Sequence, residues 1–277
     1  MNHKIGIISD IHGNFTALKA VIEDAKKSGM TEYWLLGDIV LPGPGANDMM
    51  AYLSELPITY KVKGNWDDVF LDAIDNKYSV DSPIQVYFMR LSQYLKENLD
   101  ARYIDKLRNL PMFVETKIND ISTLICHNLP DKNYGRDLTA EKNIENFDKL
   151  FELGDYDLAV YAHVHTPMVR YASDGQVILN PGTIGQHTPW KRLNKDLRAQ
   201  YAILEIDDLG IENIQLKKVW YDIEEELKIA KKSNLPYFNL YKEILEQGIT
   251  HTEDSKFINK INIKEGYLAD VKEYFNF

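Results

Sequence analysis

The chain has 277 residues, one cysteine and a formal net charge of −10, from 32 Lys and Arg against 42 Asp and Glu. The acidic balance argues against the basic face of a general nucleic-acid binder, and a lone thiol excludes an internal disulfide. Neither a signal peptide nor an apolar run of membrane-spanning length is visible, so a cytoplasmic protein is expected, long enough to bury a full core.

In chain order, the apolar run Ile5–Ile8 reads as a strand that ends at Ser9-Asp10-Ile11-His12. A Gly13-Asn14 turn then opens a helix-like stretch from Phe15 to Ser28. Tyr33–Leu36 runs into Gly37-Asp38. The loop Leu41-Pro42-Gly43-Pro44-Gly45 leads into a helix over 46–56, and Ile58–Lys63 runs into Gly64-Asn65-Trp66-Asp67. This alternation of strand and helix is the mark of a layered α/β sheet. Between Phe70 and Leu110 the pattern turns helical, with Pro83 near a helix start and Val86, Met89, Leu91, Tyr94, Leu95 and Leu99 at helical spacing. The stretch 70–110 is expected to be a helical cap over the site or a helical pair on a sheet edge.

Two further apolar strands end in the same way. Ile121–Cys126 runs into His127-Asn128, and Leu158–Ala162 into His163-Val164-His165. Cys126 lies within such a run and reads as a core residue. Gln176–Leu179 ends in the turn Asn180-Pro181-Gly182-Thr183-Ile184-Gly185, and Ala199–Asp207 with Ile211–Val219 reads as a hairpin. From Tyr221 the chain is helical and charged, so 221–277 is expected to be a helical appendage on a main domain spanning 1–220.

Five strand ends thus deliver Asp, His, Asp, Asn, His, His and His. Ligands gather outside the carboxyl ends of strands in open α/β sheets, and carboxylate with imidazole suits a divalent transition metal. The ordered series resembles the calcineurin-like metallophosphoesterase superfamily, whose pattern is D-x-H, G-D, G-N-H-D/E, H and G-H-x-H, over about Met1 to Val219. That resemblance implies an αββα fold, a two-sheet β-sandwich flanked by helices. It implies one metal held by Asp10, His12, Asp38 and His165, and a second held by Asp38, Asn65, His127 and His163, with Asp38 bridging. It also implies Mn²⁺, with iron as an option in the site of Asp10, His12 and His165. Asp38, Asn65, Asp67 and His127 would be the catalytic residues, around a hydroxide activated by the metals.

Two positions depart from the pattern. Ala162 replaces the usual Gly, and Trp66 replaces the usual His, which, paired with the next acid (Asp67 here), protonates the leaving oxygen. Indole N–H is a donor that does not release its proton near neutral pH. Alkoxide leaving groups need such an acid, worth roughly 10²–10⁴ in rate, whereas a phosphate leaving group does not. Tryptophan is also a stacking platform for a base. Both consequences point to a nucleotide polyphosphate.

The stretches Glu32–Ile39, Lys63–Asp68, His127–Arg136, Lys195–Tyr201 and Leu235–Phe238 are similar to a Gram-positive branch that includes an asymmetrically cleaving diadenosine tetraphosphate (Ap4A) hydrolase. The implied reaction is Ap4A plus water to ATP plus AMP. Trp66, Asn128, Tyr134 and Arg136 are the expected substrate contacts, with Asn128 beside a ligand and Arg136 matched to two phosphate oxygens. The sequence leaves open whether Tyr87, Arg90, Tyr94 and Arg192 face the nucleotide. The enzyme alternative is a broad phosphodiesterase acting on cyclic nucleotides or small phosphate esters. A scaffold role is disfavoured because all seven ligand residues are present. A small-molecule partner is expected, with no membrane and no nucleic acid, and the oligomeric state is open.

Overall fold

The computed structural model describes residues 2–187 and 196–277. The first part of the chain contains β1 (His3–Ile8), α1 (Phe15–Lys27), β2 (Glu32–Leu35), α2 (Asn47–Glu55), β3 (Ile58–Lys61) and α3 (Asn65–Ile74). The helical stretch supplies α4 (Pro83–Asn98) and α5 (Ala101–Arg108). Then come β4 (Phe113–Ile118), β5 (Ile121–Cys126), α6 (Ile144–Asp148), β6 (Leu158–Val160), β7 (Met168–Tyr171) and β8 (Val177–Asn180). The hairpin β9 (Ala199–Asp207) and β10 (Gly210–Val219) precedes α7 (Ile223–Lys232), α8 (Phe238–Gln247), α9 (Ser255–Glu265) and α10 (Tyr267–Phe275).

The strands form two five-stranded sheets, β10-β9-β1-β2-β3 and β4-β5-β6-β8-β7. Strand alternation explains why they stack. Ile5 and Ile7 of β1, Trp34 of β2 and Leu204 of β9 meet Ile125, Val160 and Leu179 of the second sheet in one core. The intervening residues Ile8, Tyr33, Leu35 and Ile203 face helices, where Leu18, Val21 and Ile22 of α1 cover them. On the opposite side, Leu124, Cys126, Ala159 and Ile178 pack under Phe147 of α6. Cys126 is buried as expected, and burial pushes its thiol far above the usual range. The αββα sandwich of the sequence reading is the observed fold.

Within each sheet the strands that end in candidate ligands run parallel, β1, β2 and β3 in one and β5 and β6 in the other, with β8 parallel beside β6. Their carboxyl ends therefore share one edge of the sandwich. The sequence reading missed β4 and β7, which pair antiparallel at the sheet margins. Both are partly exposed and mix polar with apolar residues, so no continuous apolar run marks them. The hairpin is tighter than expected. β10 begins at Gly210, and the Asp207 carboxylate accepts from the Leu209 and Gly210 amides.

The helices after β3 and after β10 pack on each other. Helix α4 lies against α3, α9 and α10. Tyr87 of α4 meets Tyr237 at 4.7 Å between ring centroids, and Tyr237 meets Tyr267 at 4.5 Å. Among the described residues no helix is long and apolar enough to cross a membrane.

Candidate metal centre

The strand-end loops are tied together by backbone hydrogen bonds before any side chain is considered. The amides of Asp10, His12 and Gly13 donate to the carbonyls of Gly37, Asp38 and Ile39 at 3.1, 2.9 and 3.0 Å. The turn after β8 lies beneath them. Ile184 and Gly185 amides donate to Ser9 and Asp10 carbonyls, and the Thr183 hydroxyl donates to the Asp10 carbonyl at 3.0 Å. Asn180 Nδ2 donates to the Ala162 carbonyl at 2.8 Å, which fixes the start of the His163-Val164-His165 segment.

Asp10, His12, Asp38, His163 and His165 all have positive φ, between 49° and 64°. None is glycine, so each holds an unfavourable left-handed conformation that its surroundings must enforce. Backbone strain concentrated on five of seven candidate ligands marks a functional site. Sequence could not show it, because no glycine signals it.

The side chains converge in two groups. Asp10, His12, Asp38 and His165 form one, and Asp38, His127 and His163 the other, each with ligand atoms within 4.8 Å of one another. Asn65 Oδ1 joins the second at 3.2 Å from His127 Nε2. All seven predicted ligands are therefore brought together, with Asp38 shared. His165 Nε2 stands 3.0 Å from Asp10 Oδ1 and 3.2 Å from His12 Nε2. His12 Nε2 stands 3.6 Å from Asp38 Oδ2, and His127 Nε2 3.5 Å from the same oxygen. A cation about 2.1 Å from each donor keeps neighbouring donors about 3.0–3.4 Å apart, close to this spacing.

The tautomers fit as well. His12 Nδ1 donates to the Leu41 carbonyl at 2.8 Å and His127 Nδ1 to the Leu36 carbonyl at 2.5 Å, leaving each Nε2 lone pair for a metal. His163 is reversed. Its Nε2 donates to the Gly135 carbonyl at 2.9 Å, so Nδ1 is the nitrogen left to bind.

The electrostatics carry the same message. Burial alone would raise Asp10 and Asp38, yet the surrounding histidines hold both carboxyls below their usual range. Burial pushes His12 and His163 down to about 4, so they are neutral donors. Burial also opposes the charged form of His127, but Asp38 and Asp10 outweigh it and push His127 up to about 10. The carboxylates of Asp10 and Asp38 are fully buried, and among the described residues histidines alone form ion pairs with them. Two buried carboxylates without Lys or Arg fit a pair of divalent cations.

The remaining expected residues fall into two sets. Asp67 is buried and its carboxylate is committed to backbone, with Oδ1 accepting from the Ile39 and Val40 amides and Oδ2 from Gly64. Burial and the charge on Asp38 push it up to about 7. Trp66 donates its amide to Asp38 Oδ1 at 2.7 Å. Its ring is buried edge-on against His12, 5.8 Å between centroids, and against Phe88 of α4 at 5.5 Å. Gly64 is required beside it, because a Cβ there would overlap the Asp38 carboxylate. Asn128 is buried and donates to the Tyr134 carbonyl at 2.7 Å, with its own Oδ1 unpartnered among the described residues.

Tyr134 is 62% exposed and Arg136 pairs with Glu253 at 2.5 Å, so both lie on the rim beside Gly135, not within the cluster. Tyr87 and Tyr94 are core residues, Arg90 pairs with Asp270, and Arg192 and Lys195 lie outside the described residues. The sequence reading missed Ser9, whose hydroxyl donates to Asp10 Oδ2 at 2.7 Å. It also missed His187, buried near His165 and pushed down to about 4 by that burial, with Nε2 unpartnered among the described residues. A lone Ser or His in a turn carries no spacing signal.

Comparison with known proteins agrees with this geometry. A family model described as the calcineurin-like phosphoesterase superfamily domain matches residues 3–209. An uncharacterised protein of Methanocaldococcus jannaschii is 27% identical over 248 residues, covering 84% of this chain and 93% of the relative. A metallophosphoesterase of Sphaerobacter thermophilus has a similar structure, with a TM-score of 0.68 and 25% identity over 90% of this chain and 100% of that one. A symmetrical bis(5'-nucleosyl)-tetraphosphatase of Serratia proteamaculans is 38% identical over 63 residues, 22% of each chain. With two linked Asp/His groups at the strand ends of a two-sheet sandwich, the chain belongs to the calcineurin-like phosphoesterase superfamily and is a metal-dependent phosphohydrolase.

Proposed function

We propose that the protein hydrolyses dinucleoside polyphosphates, with Ap4A cleaved asymmetrically to ATP and AMP. The observation that carries this reading is Trp66. Beside His12 and Asp38, where the family pattern has a proton-donating histidine, stands a buried indole. An indole does not protonate a leaving alkoxide. A nucleotide phosphate leaves as a stable anion near neutral pH and needs no such donor. The partial similarity to a tetraphosphatase supports the substrate class, although that relative's name describes the symmetrical reaction.

Asp10, His12, Asp38 and His165 would hold one cation, and Asp38, Asn65, His127 and His163 the other. Mn²⁺ suits both donor sets, and iron suits the first. When bound, the two cations supply Lewis-acid polarisation of the phosphoryl group and acidify water. The chain's own residues do the rest. Ser9 and the turn at Thr183 hold Asp10 in place, and Asp67 ties the Ile39 and Val40 amides that follow Asp38 to the Gly64 amide of the next loop, which makes it a positioning residue for the bridge. Trp66 walls the site towards α4. Tyr134 and Arg136, both exposed beside Gly135, would meet a base and an outer phosphate, with Asn128 ordering their loop. We assign 1–220 to the hydrolase domain, 70–110 to its cap and 221–277 to an appendage.

Product analysis tests the reading. Metal-stripped protein is reloaded with Mn²⁺, given Ap4A, and its products are separated by ion exchange. ATP plus AMP is expected. Two ADP would keep the chemistry and move the attacked phosphorus. No cleavage, with turnover of bis-p-nitrophenyl phosphate or a cyclic nucleotide, would replace this substrate by the broad phosphodiesterase reading.

A further inference from the structure

Glu226 is a fully buried carboxylate on α7, far along the chain from any ligand. Its two oxygens reach different elements. Oε2 accepts from the Thr16 amide at 3.1 Å, in the first turn of α1. Oε1 accepts from the Tyr241 hydroxyl of α8 at 3.0 Å. Among the described residues no Lys or Arg forms an ion pair with Glu226, so its compensation is the Tyr241 hydroxyl, an orphan amide at the positive end of the α1 dipole and the more distant charge of Lys19.

Both contacts lead to His12. On the α1 side, Asn14 caps the helix by accepting from the Ala17 amide at 3.0 Å, and the Asn14 amide donates to the Ile11 carbonyl. The turn between Ile11 and Asn14 contains His12 in its left-handed conformation. On the α8 side, the Tyr241 hydroxyl lies against Gly43, where an added Cβ would come within 2.8 Å of it. The Gly43 amide donates to the His12 carbonyl at 2.9 Å, and Leu41, two residues earlier, accepts from His12 Nδ1. The backbone of His12 and its ring are thus held by two segments that meet the same buried carboxylate system. A left-handed ligand persists only while its surroundings over-determine it.

We propose that Glu226, with Tyr241, is a positioning residue for His12, through which the C-terminal helices set the affinity of the Asp10–His12–Asp38–His165 metal site. The inference rests on the two-metal reading of the centre and on nothing about the substrate. Groups outside the ligand sphere that orient ligands typically change metal affinity by about 10–100-fold when removed.

The test is direct Mn²⁺ binding, read from the free-Mn²⁺ electron paramagnetic resonance signal, with thermal unfolding measured in parallel. His12→Ala identifies the binding step that belongs to the His12 site. Glu226→Ala is expected to weaken that step by about tenfold or more and to leave the other within about threefold. Glu226→Gln, which keeps an acceptor for the Thr16 amide, should recover most of the loss, and Tyr241→Phe should give a smaller shift at the same step. If Glu226→Ala does not fold, unchanged Mn²⁺ affinity at the His12 step in Tyr241→Phe overturns the inference. Equal weakening of both steps, or lowered thermal stability with both affinities intact, would show a purely structural residue and overturn it too. Wild-type protein binding fewer than two Mn²⁺ would overturn the two-metal reading itself, whereas two in wild type and two of unchanged affinity in Glu226→Ala would overturn only this inference.

Discussion

Asp38 in the metal centre and Arg136 on the rim are built differently. Asp38 is buried, left-handed, and held by the Trp66 amide and by neighbours that Asp67 fixes. Arg136 is exposed and meets Glu253, itself exposed, on the loop between α8 and α9. The centre is a rigid, desolvated cluster whose geometry is set by backbone. The rim is a solvated surface where side chains move at little cost. Changes at the centre should therefore act on the chemical step, and changes at the rim on substrate capture.

The largest expected effect is at the bridge. Asp38 is the one candidate ligand common to both groups, so Asp38→Ala removes a donor from each. Two-metal stabilisation of a transferring phosphoryl group is worth several kcal/mol, and each ~1.4 kcal/mol is tenfold in rate. Turnover should fall at least about 10³-fold at equal Mn²⁺. Wild-type turnover in this variant would show that the cluster is not the catalytic centre.

The ligand set was legible in the sequence because each ligand follows a short apolar strand, and strand order carries side chains to one edge. The sandwich was legible for the same reason, apart from the marginal strands β4 and β7. The strain at Asp10, His12, Asp38, His163 and His165 was not, since ordinary residue types hold it there. Nor could spacing show that Asp67 turns both oxygens to backbone amides, or that Glu226 reaches α1 across 210 residues of sequence. Such contacts depend on packing between elements, which no local pattern encodes.

A second prediction concerns protons at the centre. In the metal-free protein Asp38 and Asp10 push His127 up to about 10, whereas a metal ligand must be neutral. Loading this site therefore releases a proton from His127 at neutral pH. The sign is fixed: affinity rises with pH, by up to about tenfold per unit, through the window between 6.5 and about 10. His12 and His163, already neutral there, add no slope. Apparent Mn²⁺ dissociation constants at pH 6.5, 7.5 and 8.5 check this. A flat profile would mean that His127 binds no metal or enters the site already neutral.

The smallest effect is expected at Arg136, and it tests the rim half of the comparison. The guanidinium sits on the loop whose Gly135 carbonyl holds His163, so it stands beside the second metal group without joining it. To meet an outer phosphate it must leave Glu253, exchanging one exposed charge partner for another. Exposed pairs of this kind contribute little, and salt screens them. Arg136→Ala should therefore raise KM for Ap4A by no more than about tenfold, leave kcat within about twofold, and lose its effect as ionic strength rises. Bis-p-nitrophenyl phosphate, too short to cross the rim, should be turned over as by wild type. A fall in kcat of about 10² or more on both substrates would place the guanidinium on the reacting phosphorus. In that case the loop would close into the centre during turnover, and the division between a rigid interior and a solvated rim would fail at this residue.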